Sequence, residues 1–189
     1  MESPFVYWHT RSVKNGAALT VLKGVDKIYR MKDGESVQAD FPTDAAFHFD
    51  PEFKRDTLPV DAYLNVEGML VCSKRLKEFI EARSPAKVEY LPVTIFDHKG
   101  KALLDPHFIV HLVEPVDCID YDKSEVTWSA SDPSSLLDVE HLEIDPARVP
   151  ADRRLFRAKG LKGKAFMPRA FAEEIEGAGF KGAAWIDID

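Results

Sequence analysis

His107 and His111 come closest to a metal-binding spacing in this sequence of 189 residues. An HxxxH pair holds zinc when a helix places both imidazoles on one face. The segment that contains them, HFIVHLV at residues 107–113, is apolar and rich in strand formers, which predicts a strand instead. Four residues of strand span about 13 Å, which is too far for one ion that holds each ligand at about 2 Å. We therefore expect neither a metal nor another cofactor.

Cys72 and Cys118 are the only cysteines, and no CxxC pair accompanies either of them. This spacing fits neither a zinc ribbon nor a redox dithiol, and both residues are expected to be buried, reduced thiols. A Cys–His nucleophile assembled by folding stays open, whereas the GxSxG turn of a serine hydrolase is absent from the sequence. No catalytic residue is assigned, and the chain is expected not to be an enzyme.

The stretch KGLKGK at residues 159–164 contains two glycines in the GxxG spacing that some RNA-binding domains use to clamp a backbone. It lacks the terminal Lys-Ser/Thr of a phosphate loop, so a polar turn between two strands is the favoured interpretation. The net charge of −7 also argues against a nucleic-acid partner, because such interfaces recruit Lys and Arg.

Residues 114–152 carry most of the negative charge, with 11 Asp or Glu against only Lys123 and Arg148, a local net charge of −9. Such acids often serve only to keep a strand edge soluble. A clustered negative field also steers a basic partner toward its binding site and raises the association rate. The acids do not follow the spacing of a calcium loop, which needs alternating acids, a central Gly and a late Glu.

The sequence therefore nominates one partner-binding segment, in which two aromatic side chains are candidate anchors among the acids. Its residues are Asp117, Asp120, Tyr121, Asp122, Glu125 and Trp128.

Two short helices are predicted, at about residues 73–83 and 168–178. Ser73 is a suitable N-cap for the first, and Pro168 is placed at the first position of the second. Phe171 and Ile175 give the second helix an apolar stripe, and Gly177 and Gly179 supply its stop.

Strand patterns fill most of the remaining chain. Val88–Phe96 alternates so that Leu91, Val93 and Ile95 share one face, and a turn at residues 97–100 predicts a hairpin with residues 107–113. Further strands are predicted at residues 116–120, 126–129, 141–144, 155–158, 164–167 and 182–188, the last with Ala184, Ile186 and Ile188 on one face. Residues 40–59 are predicted to be a long ordered loop.

The expected fold class is α+β, a single domain with a mostly antiparallel twisted sheet. The beginning of the chain lacks a basic stretch followed by an apolar run, and no segment approaches the roughly 20 apolar residues that span a bilayer. The protein is therefore expected to be soluble and cytoplasmic, without a membrane partner. The oligomeric state is left open.

Five sequence segments, in this order along the chain, are the basis for a family resemblance: SKRLKEFIE, VEYLPVTIFDHKGK, HFIVHLVEPVDCIDYDKSEV, LFRAKG and FMPRAFAEEIEGAGFKGAAWIDID. Together they resemble the polymorphic-toxin immunity family numbered eleven, over about residues 40–189. Residues 1–39 fit that pattern poorly and are expected to pack on the same domain.

The resemblance implies a bacterial immunity protein that binds and neutralises a cognate toxin, encoded by an adjacent gene, by stoichiometric inhibition. It brings no catalytic residue. Two alternatives remain: a module that binds a small molecule or a peptide, and an enzyme that disarms the toxin or its product.

Overall fold

The computed structural model describes residues 3–188, which contain ten strands and three α-helices. The helices are α1 (Ile28–Lys32), α2 (Lys74–Glu81) and α3 (Arg169–Gly177). The strands are β1 (Phe5–Thr10), β2 (Ala46–His48), β3 (Ala62–Tyr63), β4 (Val71–Ser73), β5 (Val88–Phe96), β6 (His107–Leu112), β7 (Glu125–Trp128), β8 (Leu136–His141), β9 (Phe166–Pro168) and β10 (Ala183–Asp187). Within residues 3–188, no helix has the length and apolar character needed to cross a bilayer.

The larger sheet has five strands in the order β2-β5-β6-β4-β3. β5 and β6 form the predicted antiparallel hairpin, whereas β2 pairs with β5 in parallel. Leu91, Val93 and Ile95 share a buried face, as predicted, in a core cluster that includes Phe47. Pro92 is exposed and precedes the part of β5 that β2 covers, so its missing N–H is tolerated at an open edge.

The smaller sheet is antiparallel, in the order β10-β1-β9, so residues near the N-terminus form its central strand. Val6 and Trp8 of β1 share a core cluster with Leu76 of α2, Phe171 of α3 and Val110 of β6. This cluster lies between the two sheets and also buries the apolar faces of both helices. It joins the N-terminal residues to the rest of the molecule.

Both predicted helices are present. The Ser73 hydroxyl accepts a hydrogen bond from the Leu76 backbone N–H at 3.3 Å, which caps α2. The sequence predicted Pro168 as the first helical residue of α3, but it is the N-cap, one position earlier. Gly177 is still helical, so of the two glycines only Gly179, with a φ of 70°, adopts the left-handed conformation. The five-residue helix α1 was not predicted.

Several strand predictions are wrong in position. Residues 116–120, 142–144 and 155–158 contribute only isolated bridges. β8 occupies Leu136–His141 and so shares only residue 141 with the predicted strand at 141–144, and β9 is shifted to Phe166–Pro168. The predicted loop at residues 40–59 contains β2, whose Phe47 is fully buried. In β10 the side chains that pack on the core are Ala183 and Trp185, and Ile186 is 39% exposed.

The fold class is nevertheless the predicted one, a single α+β domain with mostly antiparallel strands. The pairing differs from the prediction in that the strands are divided among two sheets and the separate hairpin β7-β8.

Candidate functional site

The predicted partner-binding segment lies over a third core cluster and includes β7, the first strand of the β7-β8 hairpin. Val116, Cys118 and Ile119 are buried in that cluster, and Asp117 between them is exposed. Bridges from Val116 to Ala158 and from Ile119 to Ile144 fix this part of the backbone. The segment is therefore an ordered surface that its buried apolar side chains hold against the core.

Asp120 organises the turn that follows. Its carbonyl accepts hydrogen bonds from the backbone N–H groups of Lys123 and Ser124, and its carboxylate accepts one from that of Asp122. The carboxylate also pairs with the Lys123 ammonium at 2.8 Å, which lowers the pKa of Asp120. Because this charge is matched within the turn, Asp120 contributes less to the external field than its neighbours.

Tyr121 and Trp128 are brought together, although seven positions separate them in the sequence. Their ring centroids are 5.6 Å apart, and the residues are 38% and 47% exposed. Partial burial, followed by the nearby negative charge of Asp117, raises the pKa of Tyr121. The structure therefore places an exposed aromatic pair near the Asp117 carboxylate. Asp122 and Glu125 are also exposed on this segment.

The KGLKGK turn packs against the β7-β8 hairpin. Leu136 at the start of β8 donates its backbone N–H to the carbonyl of Gly160 at 2.9 Å. A Cβ at Gly160 would contact the side chains of Leu136 and Trp128. Lys162 pairs with Asp132 at 2.9 Å, in the loop between β7 and β8. These contacts favour a structural role for the turn.

Internal ion pairs match four of the 11 acids in residues 114–152. Glu114 pairs with Lys87, Asp120 with Lys123, Asp132 with Lys162 and Asp145 with Arg148. Hydrogen bonds from Ser134 and then from Lys162 lower the pKa of Asp132 to about 2. The other seven have no ion pair within residues 3–188: Asp117, Asp122, Glu125, Asp138, Glu140, Glu143 and Asp152. These seven charges remain available to a partner.

Both cysteines are free and buried, as predicted. Burial raises the pKa of the Cys72 thiol far above its usual range and that of the Cys118 thiol to about 12. At neutral pH the two side chains are therefore thiols and not the thiolates that act as nucleophiles.

The two histidines of the HxxxH pair lie on a strand, as predicted, and each is held by a different partner. His107 Nε2 lies 3.2 Å from the Tyr63 hydroxyl, and His111 Nε2 donates to the Glu35 carbonyl at 2.7 Å. Among the residues that the structure describes, no group of three or more His, Cys, Asp or Glu side chains is arranged to hold a metal ion.

Sequence reasoning missed the role of Glu89. This side chain is only 8% exposed, and its carboxylate accepts hydrogen bonds from the Ser36 hydroxyl and the backbone N–H groups of Val37 and Gln38. It was detectable, because Glu89 falls on the same alternating face of β5 as Leu91 and Val93. A carboxylate on a buried face requires partners of this kind.

Taken together, the fold and this surface define a small α+β domain in which one ordered segment carries an exposed aromatic pair and several unmatched acids. A family model described as "Immunity protein family (Imm11)" matches residues 9–189, and the chain belongs to this family. Membership implies a role in toxin immunity, with a cognate toxin as the binding partner. The match begins well before residue 40, so it also includes most of the N-terminal segment. No curated protein matches the chain.

Proposed function

We propose that this protein binds its cognate toxin and neutralises it as a stoichiometric inhibitor in the cytoplasm of the cell that produces both. The observation that carries the proposal is the family match over residues 9–189. The buried, protonated thiols fit a blocker better than an enzyme that disarms the toxin. We further propose that the toxin is encoded by an adjacent gene.

We propose the segment from Asp117 to Trp128 as the contact surface. Exposed Tyr and Trp side chains are frequent anchors of protein interfaces, and Tyr121 and Trp128 already hold each other in place. Asp117, Asp122 and Glu125 supply unmatched negative charge around this pair. Such a surface suits a basic face of the toxin, because charge complementarity accelerates encounter.

A titration of toxin activity tests the mode of inhibition. The toxin domain encoded beside this gene is purified and assayed against increasing amounts of the immunity protein. A blocker abolishes activity at about one molecule per toxin, and the two proteins elute together in size-exclusion chromatography. Full protection at a small fraction of that ratio would instead identify an enzyme.

Association kinetics test the surface. The variant D117N/D122N/E125Q removes three unmatched charges and leaves Asp120 to hold its turn. We expect its association rate at low salt to fall about tenfold or more and to depend less on salt, because electrostatic steering is reduced. The matched control E52Q/E173Q/E176Q removes three exposed charges elsewhere. Equal rates for the two variants would exclude this surface as the contact.

A further inference from the structure

A cavity of about 320 Å³ opens between β6, the loop at residues 67–70 and the segment at residues 157–165. This volume is at the lower end of the range of about 300 to 1,000 Å³ found for small-molecule sites. Apolar side chains form much of its wall: Met31, Met69, Leu70, Ile109, Leu112 and Ala165. The wall therefore suits a hydrocarbon group.

Arg157 lines this cavity and uses only part of its hydrogen-bonding capacity. Its Nη1 donates to the carbonyls of Met31 at 2.7 Å and Lys32 at 3.0 Å, at the end of α1. Within residues 3–188, no protein group accepts a hydrogen bond from its Nε or Nη2. Burial lowers the pKa of this half-buried guanidinium. The free Nε and Nη2 edge matches the two oxygens of a carboxylate.

The charges around the cavity favour a ligand with one negative charge. Three cations line it, Lys32, Arg157 and Lys162, against the single carboxylate of Glu67. Lys162 is already matched by Asp33 at 2.7 Å and Asp132 at 2.9 Å. Counting Lys32 and Arg157 against Glu67 leaves a surplus of one positive charge.

His111 lines the same cavity as Arg157. It is 1% exposed, its Nε2 donates to the Glu35 carbonyl, and its Nδ1 has no hydrogen-bond partner within the described chain. Burial and then the positive charge of Arg157 lower the pKa of this imidazole, which places the two side chains within electrostatic reach. An anion bound at Arg157 therefore changes the surroundings of the His111 ring.

We propose that this cavity binds a monocarboxylate that carries an apolar group. The carboxylate lies on Arg157, and the apolar group lies against β6 and the loop at residues 67–70. A free carboxylic acid and the C-terminal carboxylate of a peptide ending in an apolar residue share this chemistry. The proposal is independent of toxin binding, since it rests on the cavity alone.

Calorimetric titration with butanoate, hexanoate and octanoate tests the proposal. We expect affinity to rise about fourfold for each added methylene until the cavity is filled. Octanoate should bind at least ten times more tightly than octanamide, which has the same tail and no charge. Absence of octanoate binding, or equal affinity for the acid and the amide, would overturn the proposal.

Three variants separate the site from a general loss of structure. Arg157→Gln should reduce the preference for octanoate over octanamide to less than threefold, and this ratio does not depend on how far α1 loosens. Leu70→Trp fills the apolar end and should weaken both ligands at least tenfold. Leu104→Trp is the control, because Leu104 is 92% exposed and lies outside the cavity. Retention of the full octanoate preference in Arg157→Gln would contradict the assignment.

NMR and peptides complete the test. Octanoate should shift the ring signals of His111 and leave those of the exposed His9 unchanged, and unshifted His111 signals would count against the site.

Leucine-terminated peptides with a free or an amidated C-terminus distinguish a free carboxylic acid from a peptide C-terminus as the ligand. Tighter binding of the peptide acid than of octanoate assigns the site to a chain terminus, and the reverse assigns it to a free acid. If octanoate binds and neither peptide does, the site takes the free acid. Measurable binding of both peptides with equal affinity would overturn the proposal.

Discussion

Glu89 connects the N-terminal part of the chain to the larger sheet by three hydrogen bonds. Its partners belong to residues 36–38, and the neighbouring strand contributes the bond from His111 to the Glu35 carbonyl. Hydrogen bonds to a charged group contribute about 1.5 to 3 kcal/mol, roughly twice the value for neutral groups. The two side chains therefore hold the segment that follows α1 against β5 and β6.

We expect Glu89→Gln to lower the free energy of unfolding by about 1.5 to 3 kcal/mol. The amide can keep its oxygen on the backbone N–H groups of Val37 and Gln38 and turn its NH₂ group toward the Ser36 hydroxyl, so the loss comes from removing the negative charge that strengthens all three hydrogen bonds. Urea denaturation followed by circular dichroism measures the loss. Glu140→Gln, at an exposed position of β8, is the control. A loss no larger than that of the control would mean that Glu89 has no anchoring role.

Trp128 is the residue from which we expect the largest effect on toxin binding. Trp128→Ala removes an exposed indole that contacts Tyr121, and hot-spot residues of this type contribute about 2 kcal/mol or more to binding. Surface plasmon resonance should therefore record an affinity at least 30-fold weaker, with stability changed by less than about 1 kcal/mol. Tyr29→Ala is the control, because Tyr29 is 60% exposed elsewhere on the molecule. Equal affinities of the two variants would rule out Trp128 as an anchor.

At the scale of elements, the approach of β10 to β3 depends on Gly182. This residue has a φ of 90°, its carbonyl accepts a hydrogen bond from the Arg11 N–H, and an added Cβ would collide with the Ala62 carbonyl. Left-handed backbone costs a non-glycine residue about 1 to 3 kcal/mol even without a collision. The position therefore requires glycine for two reasons.

Gly182→Ala is expected to lower the free energy of unfolding by more than about 3 kcal/mol, because strain and collision add. Gly100→Ala isolates the strain, since Gly100 has a φ of 73° and open space around its Cα. Thermal denaturation of both variants gives the comparison. If Gly182→Ala is no less stable than Gly100→Ala, then β10 shifts away from β3 and the close approach is not required.

Elements were predictable where a local pattern was sufficient. β5 has the alternation of a half-buried strand over nine residues, and α2 has a cap and an apolar stripe. β8, LLDVEH, has no buried residue, so its sequence shows no alternation of apolar and polar residues that would predict a strand. It is a strand because it pairs with β7. β10 is apolar on both faces, so alternation could not say which face would meet the core.

At the scale of the whole molecule, two buried histidines make stability depend on pH. Burial lowers the pKa of His107 and His111 from the ordinary value of 6.5. Below about pH 6.5 the unfolded chain binds protons that the folded chain does not. The stability from these neutral rings is therefore full above that pH and is lost as the pH falls toward their folded pKa values.

We expect the free energy of unfolding to decrease between pH 7.5 and pH 5.5, as measured by urea denaturation at several pH values. His111→Gln should be less stable at pH 7.5 but should lose less on acidification, because one of the two titrating groups is gone. His9→Gln, at an exposed position, should keep the full pH dependence. Identical pH dependence in the wild type and His111→Gln would exclude His111 as a source.

The sequence by itself determined the fold class, the β5-β6 hairpin, both longer helices, the family and the excess of acids in residues 114–152. These depend on composition, on the pattern of neighbouring residues along the chain or on the order of the sequence segments shared with the family. Only the tertiary structure decided which acids are matched by internal cations, that Tyr121 and Trp128 touch, and that Arg157 has a free edge in a cavity. Each of these facts depends on residues from separate elements, whose distances are set by packing.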